Sequence, residues 1–184
     1  MNDVLKAVKS FLTRGRNHGL NHVGVTVSDF EAAVKWYNDM FDFHLVNELR
    51  IEGETANKLA SLYGTTGLSI RLGFLGTNSN AMLEIFEFTP KIEGQATNWQ
   101  KNGYSHAAIS VSNVAAWKRK LEARGVEFVT GVQYNNGTHW AFMKDPDGNL
   151  IELIDYHANR LILGCASNIV GRVMKKAQFG SYYM

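Results

Sequence analysis

A single cysteine, Cys165, stands among 184 residues, so no intrachain disulfide is open to this chain. A reducing, cytoplasmic setting is the expectation. Set in the apolar run LILGC, that thiol reads as a small buried hydrophobe rather than a nucleophile. Proline is scarce, with two residues, and no Gly/Ser/Pro-rich stretch marks a disordered linker. No apolar run approaches the ~20 residues of a membrane span. Lys6 and Lys9 are not followed by the apolar core of a secretory signal. Acid is absent from residues 157–184, which carry four bases, whereas residues 1–20 carry four bases and one acid. The two ends thus contribute +3 and +4, leaving −5 for the body of a chain whose net charge is +2. Charges so short and spread read as solvated faces of terminal helices, and nucleic acid is not an expected partner.

What is present is an ordinary globular composition, 45% hydrophobic and 20% charged. Val4, Leu5, Val8, Phe11 and Leu12 fall on one helical stripe, so residues 1–19 are expected to form a helical extension. From Leu20 the period becomes two: Val23, Val25 and Val27 point one way, His22, Gly24 and Thr26 the other. Ser28 followed by Glu31 predicts a capping box, opening a helix to about Phe41. A strand near 43–50 follows, then a glycine-bounded helical insertion at 53–67, then strands near 68–75 and 81–88.

That order recurs. An offset of 84 places His106 on His22 and Ser112 on Ser28, and an offset of 68 places Glu152 on Glu84. The difference of 16 residues is close to the size of the 53–67 insertion, so the chain is an internal repeat with one insertion. In the second copy a helix at 114–125 leads to strands at 126–129 and 138–143, then a KDPDGN hairpin in which Gly148 tolerates positive φ. The period after Tyr156 is helical, predicting a tail at 157–184 packed on the body or on a partner subunit rather than on a membrane surface.

The repeat singles out two matched pairs, His22 with Glu84 and His106 with Glu152. All four lie on strand faces opposite the aliphatic residues that the helices cover. Carboxylates there are costly to bury unless paired or coordinated, and a divalent cation would use all four as ligands. His18, His44 and His157 lack repeat mates and read as ordinary polar residues; His139 would face the site only if its strand had the opposite parity.

The duplicated unit, HVGVTVSDFEAAVKWYNDMFDF with MLEIFEF and HAAISVSN with AFMKDPDGNLIELIDY, resembles the vicinal oxygen chelate superfamily, which includes glyoxalase I, methylmalonyl-CoA epimerase, extradiol dioxygenases and antibiotic resistance proteins. The resemblance covers residues 20–156. It implies an α+β fold of two tandem βαβββ modules, 20–88 and 104–156, forming an open eight-stranded barrel-like sheet around a metal. It further implies one divalent ion per site (Ni, Co, Zn, Mn or Fe), a small-molecule substrate, and Glu152 or Glu84 as general base. A homodimer is expected, with pairing of the modules within a chain or across two left open. Four ligands match glyoxalase I, whose reaction is proton removal beside a carbonyl; a two-His, one-carboxylate iron dioxygenase or a ligand-sequestering protein are the alternatives. By resemblance Trp140 and Phe142 point inward beside the metal. Phe86 shares the parity of Glu84, and Arg71 offers a cation for a substrate carboxylate or phosphate, or else is an exposed strand residue.

Overall fold

The computed structural model describes residues 19–79, 81–91, 99–100 and 102–183. The expected N-terminal helix and the side chain of Cys165 lie outside the described residues. The described chain forms two compact units that divide between Pro90 and Lys91. Each contains a four-stranded mixed sheet of the same topology.

In the first unit the chain runs β1 (His22–Thr26), α1 (Phe30–Phe41), β2 (His44–Ile51), two short helices α2 (Gly53–Asn57) and α3 (Ala60–Tyr63), β3 (Ser69–Gly76) and β4 (Met82–Thr89). The sheet order is β1-β4-β3-β2, with β1 and β4 parallel and the other neighbours antiparallel. The second unit repeats this with β5 (Ala107–Ser110), α4 (Val114–Glu122), β6 (Gln133–Asn135), β7 (Thr138–Lys144) and β8 (Leu150–Asp155), in the order β5-β8-β7-β6. The chain is therefore α+β with two tandem βαβββ modules, as the pattern of strands and helices predicts.

The first main helix is capped one residue later than predicted, whereas the second starts at Val114 as the sequence predicts. Asp29, not Ser28, caps α1: its backbone is extended and its Oδ1 accepts from the Ala32 N–H at 2.9 Å. Glu31 does not close a capping box, because its carboxylate is drawn to Arg71. The equivalent residue one repeat later, Asn113, caps α4 by accepting from Ala116 N–H at 3.0 Å. The second departure is at 126–129, where the expected strand shrinks to a bridge between Phe128 and Met143. The outer strand is instead the polar β6.

In the first unit both sheet faces bury apolar residues, Ile70 and Leu72 on the face opposite α1. Phe30 of α1 is 1% exposed and lies over β3, where Gly73 leaves it space: a Cβ there would come within 2.6 Å of the Phe30 ring. Ile85, Leu75 and, in the second unit, Ala141, Met143 and Leu153 are fully buried on the corresponding strands. The KDPDGN hairpin is held by Asp145, whose Oδ1 accepts the backbone N–H groups of Asp147 and Asn149 at 3.0 and 2.8 Å. Gly148 has φ +84°, as the turn demands.

Asp155, at the end of β8, ties three segments together. Its Oδ2 accepts from the Asn113 N–H and its Oδ1 from the His157 N–H, each at 2.9 Å. The Asn113 bond, aided by that from His157, holds the carboxyl below its ordinary range. A carboxylate with a depressed folded-state value stabilises fully above its unfolded value and loses that contribution as pH falls through the folded one. Asp155→Asn should therefore cost about 1 kcal/mol at neutral pH. In urea titrations its deficit against the unmodified chain should shrink toward zero in strong acid; a deficit constant with pH would refute the assignment.

Candidate metal centre

Two half-sites are built by the same register. In the first unit, Gly24 of β1 pairs in parallel with Glu84 of β4. His22, two residues earlier, lies on the same face, and its Nε2 is 3.1 Å from Glu84 Oε2. In the second, Ala108 pairs with Glu152. His106, just ahead of β5, puts its Nε2 3.3 Å from Glu152 Oε2. The carboxylate side chains are 13% and 14% exposed, so both are largely withdrawn from water.

Each imidazole is aimed by a local partner. Asn21 Oδ1 lies 2.9 Å from His22 Nδ1, and Ser105 Oγ lies 2.8 Å from His106 Nδ1. An amide oxygen only accepts, so His22 Nδ1 carries a proton and Nε2 presents its lone pair unless the ring is charged. A proton on Nε2, or a metal ion between the two atoms, would satisfy the lone pair and the carboxylate oxygen at this distance. The separation suits a metal ion. Two metal–ligand bonds of about 2.1 Å place their donors roughly 3.0 Å apart at a right angle and about 3.4 Å apart at the tetrahedral angle. The neutral-imidazole and carboxylate donor set suits Zn, Ni, Co, Mn or Fe. Among the described residues no three His, Cys, Asp or Glu side chains gather at one point, and each His–Glu pair offers two donors.

The faces around the pairs are aromatic. Phe74 is the register partner of Glu84 and meets the His22 ring edge-on at 5.6 Å. Phe142 is the register partner of Glu152 and meets His106 edge-on at 5.1 Å. Phe142 and Trp140 pack together at 5.6 Å, and alternation along β7 puts both on the His106 face. His139 has the other parity, with its ring against Tyr134 and His157. Phe86 stacks on Phe88, and Tyr63 of the insertion packs on Phe88 at 5.5 Å, so the insertion extends this wall.

Two residues escaped the sequence reading. Phe74 was detectable, since Phe142 lies 68 residues after it, the same offset that separates the two glutamates. Trp99, 5.3 Å from both His106 and Phe142, lies between the repeats and has no mate, so the repeat gave no signal for it.

Arg71 requires a correction. It pairs across the sheet with Glu87, on the face carrying α1 and opposite Glu84. There its guanidinium binds Glu31 and, at 2.7 Å, Glu48, while lying 4.0 Å from the Phe30 ring. With both carboxylates already bound, it is a tie between helix and sheet rather than a substrate-binding cation. The hydrogen bond from Arg71 holds Glu31 and Glu48 below their ordinary range.

Glu152 differs in its electrostatics. Burial pushes its carboxyl above the usual range, and His106 pulls in the opposite direction. A carboxylate made more basic by partial burial is suited to accepting a proton.

Comparison with known proteins agrees with this architecture. Residues 19–153 match the family model of the Glyoxalase/Bleomycin resistance protein/Dioxygenase superfamily. A probable lactoylglutathione lyase of Vibrio cholerae is 31% identical over 140 residues, covering 75% of this chain and 91% of the relative. The lactoylglutathione lyase of Schizosaccharomyces pombe is 28% identical over 141 residues, covering 73% of this chain, which spans only 46% of that longer protein. The crystal structure of a glyoxalase family protein from Bacillus cereus superposes with a TM-score of 0.64 at 19% identity, covering 78% of this chain and 97% of that one.

Proposed function

Because this chain belongs to the glyoxalase/bleomycin resistance protein/dioxygenase superfamily, we propose that it is a metal-dependent lyase or isomerase acting on a small carbonyl compound. The observation that carries the reading is the doubled half-site: two His–Glu pairs in identical register, with donor separations of 3.1 and 3.3 Å. His22 with Glu84, and His106 with Glu152, would each supply two ligands to a divalent ion. When bound, a divalent ion supplies Lewis-acid stabilisation of negative charge developing on a carbonyl oxygen.

The chain's own residues do the rest. Glu152 takes a proton from the carbon next to the carbonyl and returns it to the same or the neighbouring carbon, so the reaction is redox-neutral and leaves the carboxylate unchanged. Asn21 and Ser105 hold the imidazoles in orientation through their Nδ1 atoms. Phe142, Trp140 and Trp99 provide an apolar wall that excludes water and receives the non-reacting part of the substrate. The name carried by the relatives makes 2-oxo aldehyde adducts of thiols, and their 2-hydroxyacyl thioester products, the first compounds to try.

Metal analysis of gently purified protein tests this first. About one equivalent of Ni, Co, Zn or Mn per site is expected. Protein that neither retains nor takes up such an ion would refute the proposal, and redox-active Fe(II) with substrate-dependent oxygen uptake would replace it with ring cleavage. For the isomerase, solvent deuterium should enter the product at the carbon beside the carbonyl.

A further inference from the structure

The start of the tail packs on β7, but its last helix does not. After a 3₁₀ turn at His157–Asn159 and a π-helical turn at Arg160–Cys165, α5 (Ser167–Ala177) leads to a last 3₁₀ turn at Gly180–Tyr183. None of the side chains of α5 is buried, and its main packing is against the turns on either side of it. Ile169 and Val173, one helical turn apart, are 70% and 58% exposed. Leu161 before the helix and Tyr182 after it are 71% and 82% exposed. An 11-residue helix is marginal alone in water and takes its stability from whatever its apolar face meets.

The charge beside that face is of one sign. Arg172, Lys175 and Lys176 line, with Ile169 and Val173, a hollow of about 510 Å³ along α5. Arg160 adds a fourth base, and no acid occurs from residue 157 onward. Residues 1–20, at +3, and the tail of a second copy, at +4, carry like charge; the body of a second copy, at −5, is the competing occupant that the sedimentation measurement below separates. The exposed apolar groups are also spread over three kinds of helical turn. A protein partner would have to match that irregular outline, whereas the interface of a fluid bilayer makes no such demand. Lysine and arginine stems lie along an apolar surface while their charged heads reach lipid phosphates.

We propose that residues 160–183 form a docking surface for anionic membrane, with Ile169 and Val173 entering the acyl boundary and Arg172, Lys175 and Lys176 contacting headgroups.

Flotation of the full chain with vesicles tests it. The protein should float with phosphatidylcholine vesicles containing about one-third phosphatidylglycerol, and not with phosphatidylcholine alone. Raising salt from about 0.05 to about 0.5 M should lower the partition roughly tenfold. Lys175→Glu with Lys176→Glu, and separately Ile169→Ser with Val173→Ser, should each lower it at least about tenfold with an unchanged circular-dichroism spectrum. No flotation with anionic vesicles, equal flotation with both compositions, or flotation undiminished in the variants would overturn the proposal. If the Ser pair instead converts a dimer to a monomer in sedimentation and leaves vesicle binding intact, the face belongs to a second copy and the proposal fails.

Discussion

Replacing Glu152 with Gln is expected to lower turnover of an active 2-oxo substrate by about 10²- to 10⁴-fold, the usual contribution of a positioned general base. The substitution keeps the shape of the side chain and removes its ability to take a proton. Fold and aromatic wall should survive, because Glu152 is not a core residue: the packing of β8 comes from Ile151 and Leu153, which alternate with it. Two readouts separate its roles. If Glu152 acts only as a ligand, metal content and activity fall together and excess metal restores both. If it is the base, metal-loaded Glu152→Gln still fails to exchange the substrate proton with deuterated solvent. The same variant at Glu84 distinguishes the two glutamates. Retained exchange in Glu152→Gln with lost exchange in Glu84→Gln would move the base to the first unit.

Phe30→Ala is expected to produce the largest loss of stability, about 3–5 kcal/mol, from removing a buried aromatic ring. For a chain of this length that corresponds to a midpoint lower by roughly 6–20 °C. The size follows from what the ring does. It fills the space above Gly73, is 1% exposed, and lies under the guanidinium that joins Glu31 of α1 to Glu48 of β2. Removing it leaves a cavity and loosens Arg71. Gly73→Ala attacks the same contact from the other side. Its Cβ would also stand 2.8 Å from Leu45 Cδ1, and overpacking of this kind costs about 1–3 kcal/mol. Calorimetry of the single variants and the pair checks the coupling; fully additive losses would show that the two residues do not share one packing site.

The repeat was legible because strand alternation and two constant offsets carry information over long distances. It singled out His22 with Glu84 and His106 with Glu152, which the structure sets 3.1 and 3.3 Å apart, and the same offset could have found Phe74. Errors arose where the deciding interaction is tertiary. Ser28 and Asp29 are adjacent N-cap formers, and only the backbone conformation shows that Asp29 takes the Ala32 N–H. At 126–129 the alternation VEFV reads as a strand, yet it keeps one bridge, while pairing passes to the polar Gln133–Asn135. Arg71 misled because Ser69, Arg71 and Gly73 look like the open face of β3. That face is covered by α1, and Ile70 and Leu72 share the face of Phe88 and Phe86. The exposed apolar side chains of the tail were invisible in the sequence, since helical periodicity marks an apolar stripe without saying what covers it.

The residues behind the two histidines suggest how the halves of a duplicated protein part company. Asn21 offers His22 an oxygen that can only receive, which fixes one tautomer. Ser105 offers His106 a hydroxyl that can give or receive, so that ring can change tautomer without losing its partner. Beside it stands the carboxylate whose affinity for protons burial has raised. Two pairs alike in register thus differ behind the ring: an amide oxygen holds one imidazole and a hydroxyl the other.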